Sequence, residues 1–161
     1  MSLNSFTSSR ASGAIVLIRI YVGLIFIGEG VLKFVRPDAL GPGRFIKVGI
    51  PAGGILANFD GLLEIGCGLL ILVGLATRLA TLPMIADMLG ALAITKVPLL
   101  WGDAALYPKE GGFWDFFHEG RLEVAMLCGC VYLLIAGPGT LSVDAWMNRA
   151  DAEPRVQTAS V

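Results

Sequence analysis

Glu29 and Lys33 lie four residues apart in "IFIGEGVLKF" (25–34), inside a run otherwise made of apolar side chains and glycine. A carboxylate and an ammonium at that spacing share one helix face, in the favourable acid-then-base order. Asp60 and Glu64 repeat the spacing in a second apolar run, with Cys67 on the same stripe. A third run carries Asp87, and a fourth is entered through His118, Arg121 and Glu123. Carboxylates, amines and an imidazole held away from water are the groups that accept, hold and release protons. Glu29 and Glu64 are therefore the candidate proton-handling, catalytic residues. Lys33, Asp60, His118 and Arg121 are the candidate ligand-binding residues, with Lys33 and Arg121 as electrostatic partners of the two glutamates. A weaker pairing, Arg19 with Asp87, is expected deeper in the same interior. The same charges also fit a purely structural role, as buried ion pairs that fix helix register.

The elements that must position these groups follow from composition. The chain of 161 residues is 55% hydrophobic and 16% charged, with 21 glycines. An average soluble chain is roughly 25% charged, and this balance fits membrane helices. Crossing a bilayer takes about 20 mostly apolar residues. Four segments qualify, at about 13–35, 55–76, 78–97 and 120–136. The fold class is thus all-α, an integral membrane four-helix bundle spanning residues 13–146, between a polar N-terminal tail (1–12) and a polar C-terminal tail (147–161). The apolar run after the first tail exceeds the length of a signal-peptide core and is read as a retained anchor. Spans two and three are separated only by "GLATR" (74–78), which forces an antiparallel hairpin. Pro83 falls in the first turns of span three, where it can kink the helix.

Two longer connections lie on the other side. One contains a short amphipathic piece, 44–50, suited to the interface. The other carries Trp101, Tyr107 and Trp114 among phenylalanines, an aromatic belt. Gly30 shares the Glu29–Lys33 face and Gly28 lies opposite; each would let another backbone approach closely. With Lys33, Lys96 and Arg121 set aside as intramembrane partners, Lys and Arg number four on each side, so the positive-inside rule assigns no orientation.

Several chemistries are excluded. A net charge of −1 without a basic block offers nothing to nucleic acid. One histidine with carboxylates, and no E-x-x-H, is too thin for a metal centre, so no metal is expected. Cys128 and Cys130 sit ~200° apart on a helix, and there is no C-x-x-C for thiol exchange; the cysteines read as packing residues. "GPGTLS" (137–142) follows no strand and reads as a helix stop and turn.

"EIGCGLLILVGLATRLATLPMIADMLGA" (64–91) resembles the core of the DoxX family of small four-span bacterial membrane proteins. The matching residues are Glu64, Gly66, Gly68, Gly74, Leu75, Thr77 and Arg78. "GPGTLSVDAW" (137–146) is similar to the family's closing segment, and "RIYVGLIFIGEGVLKF" (19–34) to its first helix; Asp60 departs from the pattern. The resemblance implies a multi-pass protein of the bacterial plasma (inner) membrane, serving a quinone-linked redox system that handles thiosulfate, thiols or oxidative stress. It further implies a quinone between helices as cofactor and a partner subunit carrying the redox centre, with a homo-oligomer also allowed. His118 would then donate to a quinone carbonyl, and Gly74, Thr77 and Arg78 would set the hairpin turn. The alternatives are a small transporter or channel for a proton or polar solute, using the same charges as its path, and a structural membrane subunit.

Overall fold

The computed structural model describes residues 13–152, and no strand occurs among them. The expected tail at 1–12 lies outside the described residues. The helices are α1 (Ile15–Val35), α2 (Pro42–Lys47), α3 (Gly53–Val73), α4 (Thr77–Ala91), α5 (Phe113–Ala136) and α6 (Val143–Ala152). α4 continues through a wide π turn, Leu92–Lys96, and a tight 3-10 turn, Val97–Trp101. α1, α3 and the continuous Thr77–Trp101 segment are long and apolar enough to cross a membrane. α5 has 24 residues, but Asp115, Glu119, Arg121 and Glu123 crowd its first half. The molecule is an all-α membrane bundle of α1, α3, α4 and α5, with the short α2 set between α1 and α3. Outward-facing Leu17, Ile55, Leu79 and Ile135 are exposed, as lipid-facing side chains must be.

Helix ends differ from the sequence-based spans for local reasons. α3 stops at Val73 because Gly74 takes a left-handed conformation (φ 77°). The Leu75 N–H then donates back to the Leu70 carbonyl at 2.9 Å, a Schellman-type closure. α5 starts seven residues before position 120, since its aromatic and charged first turns are helical without being apolar. Residues 143–152, of which 147 onward was expected as tail, form α6.

α1 packs most extensively on α3, and α4 on α5. The first pair meets at glycines. A Cβ on Gly23 would lie 2.8 Å from the Gly68 carbonyl oxygen, and one on Gly30 would lie 2.6 Å from that of Gly61. Both pairs are seven residues apart along their helices, so the antiparallel backbones touch at two successive levels. Gly28, expected to serve the same purpose, instead faces open space. Around this seam Val22, Phe26, Ile71, Met84, Met126 and Leu133 form the core. Cys130 is buried among them while Cys128 is exposed, as their helical spacing requires.

The end of the bundle that holds the 74–77 turn is locked by two side chains. Arg19 is 3% exposed. Its Nε donates to the Ile71 carbonyl (3.0 Å), Nη2 to Leu72 (2.8 Å) and Nη1 to Pro138 (2.9 Å) and Leu141. The guanidinium thus satisfies the Leu72 carbonyl at the end of α3, adds to the Gly74 N–H (3.2 Å) at Ile71, and ties both to the turn after α5. The expected Arg19–Asp87 pair is therefore corrected: four residues into α1, Arg19 sits level with the end of α3. Asp144 completes the lock. Its carboxylate accepts from the N–H groups of Ala76 (2.9 Å) and Thr77 (3.4 Å), and its own N–H donates to the Gly74 carbonyl (3.0 Å). It caps α4 from outside the helix and holds Ala76 in a left-handed conformation (φ 48°) that alanine otherwise avoids.

Two outcomes follow. Gly30→Leu must push α1 from α3 and should cost the upper end of the ~1–3 kcal/mol typical of overpacking, while Gly28→Leu leaves unfolding in detergent unchanged; equal midpoints for the two variants would contradict the seam. Asp144→Ala should lose about 1–2 kcal/mol, the worth of a strong N-cap, and Asp144→Asn should retain much of it, both read from the same unfolding curves.

Candidate functional site

A cavity of about 370 Å³ opens between the α1–α3 pair and the α4–α5 pair, at the end away from the locked turn. This size falls within the ~300–1,000 Å³ of ligand pockets. Phe26, Met88 and Met126 form apolar walls. Leu40, Phe45, Val48 and Ile50 of the α1–α3 connection roof it, with Arg44 beside them. The amphipathic piece expected at the interface thus also turns side chains inward, while Ile46 and Lys47 remain exposed. Phe59 and Leu56 on α3, Ile94 beyond α4 and Leu122 on α5 line the cavity and are exposed on the bundle surface. Its sides therefore open between apolar side chains.

The polar floor is centred on Lys33. Its ammonium donates to the Glu64 carboxylate and lies 2.7 Å from Asp60 Oδ2. The Lys33, Asp60 and Glu64 side chains are only 11%, 16% and 3% exposed. A lysine in hydrocarbon must face protein and be paired. The Gly30–Gly61 contact satisfies that need by bringing α3 within reach. Lys33 accordingly turns across the seam rather than along its own helix to Glu29, which lines the cavity. Asp87 completes the cluster from α4. Carboxylate oxygens of Asp60, Glu64 and Asp87 all lie within 4.8 Å of one another. Such a triad has the spacing of a hard-cation site, but here the Lys33 ammonium already bonds two of its members. Asp87 Oδ2 is buried and has no hydrogen-bond partner.

A second charged group adjoins the cavity. Lys96, 4% exposed, donates to the Tyr107 hydroxyl (2.6 Å), and its Nζ lies 4.6 Å from the centre of that ring. The same Nζ is 3.4 Å from Glu123 Oε1 and 3.6 Å from Glu119 Oε2. Glu123 lines the cavity, and its Oε2 is buried without a partner.

Of the candidate residues, the fold brings Lys33, Asp60 and Glu64 into direct contact and sets Glu29 on the same cavity. It does not bring in Arg121 or His118. Both are exposed, and Arg121 donates to the His118 carbonyl on its own helix. The expected roles of Arg121 as a partner to Glu64 and of His118 as a cavity donor are corrected accordingly: these two sit on the outer face of the first turns of α5. The turn residues lie at the locked end, with Gly74 under Arg19, Thr77 fully buried and Arg78 Nη2 donating to the Ile135 carbonyl (3.1 Å). Sequence reasoning assigns no site role to Tyr107 or Glu119, reads Lys96 only as an intramembrane partner, and sets Asp87 with Arg19 instead of on this floor. A signal for Asp87 existed: Glu64 lies ten residues before Gly74 and Asp87 ten after Thr77, so an antiparallel hairpin sets them level.

The DoxX family model matches residues 14–97, which run from the start of α1 to the end of the π turn. The chain is 44% identical over 136 residues to the uncharacterized membrane protein Rv3486 of Mycobacterium tuberculosis, covering 84% of this chain and 82% of that one. No solved structure matches. A helical membrane bundle, a family model covering more than half of the chain and a relative of this similarity agree, and the chain belongs to the DoxX family.

Proposed function

We propose that the cavity binds a quinone-type molecule from the lipid phase and exchanges protons with its head group, making the protein a membrane subunit of a quinone-linked redox system in the bacterial inner membrane. The observation that carries this reading is the combination of apolar flanks with a buried, unpartnered acceptor, Asp87 Oδ2, on the floor. A buried acceptor without a donor is costly, and a ligand hydroxyl supplies the missing donor. The apolar flanks admit a lipophilic ring from the bilayer, and the volume is that of a small-molecule pocket.

When bound as a quinol, the group offers two hydroxyl donors, and its oxidation by a partner subunit's redox centre would send two electrons to that centre and release two protons. Asp87 would accept one hydroxyl proton at Oδ2 and the Glu29 carboxylate, on the same cavity, the other. Lys33 holds Asp60 and Glu64 in place and stabilises negative charge on the floor. The apolar roof and walls exclude water, so these polar contacts act at low dielectric. A transport path for a proton or solute would have to continue through the other half of the bundle. That half is filled by Arg19, Val22, Ile71 and Leu133, all under 4% exposed, which favours a dead-end binding site.

The test is binding of a short-chain ubiquinol and its oxidised form to the purified protein in lipid nanodiscs. Asp87→Asn should weaken quinol binding by roughly 10- to 150-fold, matching the ~1.5–3 kcal/mol of a hydrogen bond to a charged group, with a smaller effect on the quinone. Exposed Cys128→Ala should change neither. A correctly folded Asp87→Asn with wild-type quinol affinity would remove the basis of the proposal, and ligand-independent proton flux in liposomes would establish the transport reading instead.

A further inference from the structure

We infer that Glu123, Lys96 and Glu119 form the route by which a proton leaves the cavity for water at the end of the bundle away from the locked turn. The inference rests on the cavity being a proton-exchanging ligand site, and it adds residues that the binding step does not require.

The geometry is a buried ammonium between two carboxylates, the outer one more exposed than the inner. Glu123 borders the cavity, with Oε2 buried and unpartnered and Oε1 3.4 Å from Lys96 Nζ. Glu119, one helical turn earlier, has its Oε2 3.6 Å from the same Nζ, and its side chain is 25% exposed against 14% for Glu123. One ammonium therefore stands between an inner and an outer carboxylate. Lys96 is held there by the Tyr107 hydroxyl at 2.6 Å and by the ring beneath it. Its position also depends on a rare backbone feature. Pro98 has no N–H for the carbonyl four residues earlier, and the chain widens into the π turn, where the Val97 N–H donates to the Leu92 carbonyl. Such turns are frequent at functional sites. The charged groups that share the cavity with Glu123 are Glu29 and Lys33 from α1, Arg44 from α2, Asp60 and Glu64 from α3 and Asp87 from α4; Lys96, with Tyr107 and Glu119 on it, adjoins from the other side.

The transfer conserves charge. As a protonated Glu123 gives its proton to Nζ, Nζ gives one of its three to Glu119; one O–H and one N–H bond break, and one of each forms. The ammonium is restored, and Glu119 releases the proton to water. No electron moves.

The experiment uses an alkyl hydroxynaphthoquinone, whose absorbance changes on ionisation, bound to the full chain in nanodiscs and subjected to a rapid pH jump. Glu119→Gln, at a partly exposed position away from the ligand, should leave the probe's affinity unchanged and slow its protonation by about tenfold or more. Glu119→Asp should restore most of the rate. Glu123→Gln should slow it at least as much in whatever fraction of the probe binds. Wild-type protonation rates in a correctly bound Glu119→Gln complex would overturn the route while leaving the binding site intact. Failure of the probe to bind the wild-type protein would overturn the ligand reading itself, and this inference with it.

Discussion

An ammonium placed in hydrocarbon must find negative charge inside the protein, and Lys33 finds it only across a helix seam. Asp60 and Glu64 stand on the neighbouring helix, so α3 has to approach α1 closely at that level. The Gly30–Gly61 contact makes this approach sterically open, and Gly23–Gly68 repeats it one heptad away. In a bilayer no hydrophobic driving force draws helices together, and close backbone packing has to supply the association. The ion pair and the glycine seam thus depend on each other. Without the glycines the charges would be out of reach, and without the charges the loop-side half of the seam would lose its strongest contact. The seam also fixes α1 and α3 as one unit, leaving the cavity between that unit and α4–α5.

The two ends of the bundle are built on opposite principles. At the 74–77 turn, the Arg19 guanidinium and the Asp144 carboxylate find their partners in the backbone. Arg19 serves carbonyls of α3 and of the 138–141 turn, and Asp144 serves the first N–H groups of α4. Several residues that resemble the family pattern, among them Gly74, Thr77 and Asp144, belong to this end. The recognisable pattern is therefore in large part an architectural device that closes the bundle. At the other end, acids outnumber the bases that meet them, and Asp87 Oδ2 and Glu123 Oε2 are left without donors. Thr77 Oγ1 at the turn is also buried without a partner, so what sets the second end apart is that its unpartnered oxygens belong to carboxylates bordering a cavity.

Much of this was legible in the residues. The four helical segments and the hairpin at "GLATR" follow from apolar run length, and counting depth along the runs sets Lys33, Asp60 and Glu64 at one end; the i,i+4 spacing, which pairs Lys33 with Glu29, does not give its partners. The errors came from phase and depth. Arg121 and Glu123 are two residues apart, ~200° on a helix, so only one of them can face the interior. The inward position went to Glu123, because Lys96 was there to meet it. Arg19 and Asp87 look alike as lone charges in apolar runs, yet counting from the turn sets Arg19 beside the end of α3 and Asp87 level with Glu64. Hydropathy also undercounted α5, whose first turns are charged outside and aromatic beside the interface.

Lys96 was legible in depth, as an intramembrane partner on the loop side, but not in phase. Asp87 and Lys96 are nine residues apart. At ~100° per residue an unbroken α-helix would put them ~180° apart, on opposite faces. The π turn at Leu92–Lys96 inserts about one residue and takes back about 100° of that rotation, which brings Lys96 round toward the face that Asp87 occupies. A helical wheel cannot contain this correction, since it assumes a constant pitch. The only sign in the sequence is Pro98, and a proline near a helix end reads more simply as a stop. The change of pitch lets one helix present Asp87 to the cavity floor and Lys96 to the α5 carboxylates beside it. Asp87 on the cavity floor and Lys96 beside the cavity-lining Glu123, which a regular helix would keep apart, thereby serve one end of the bundle.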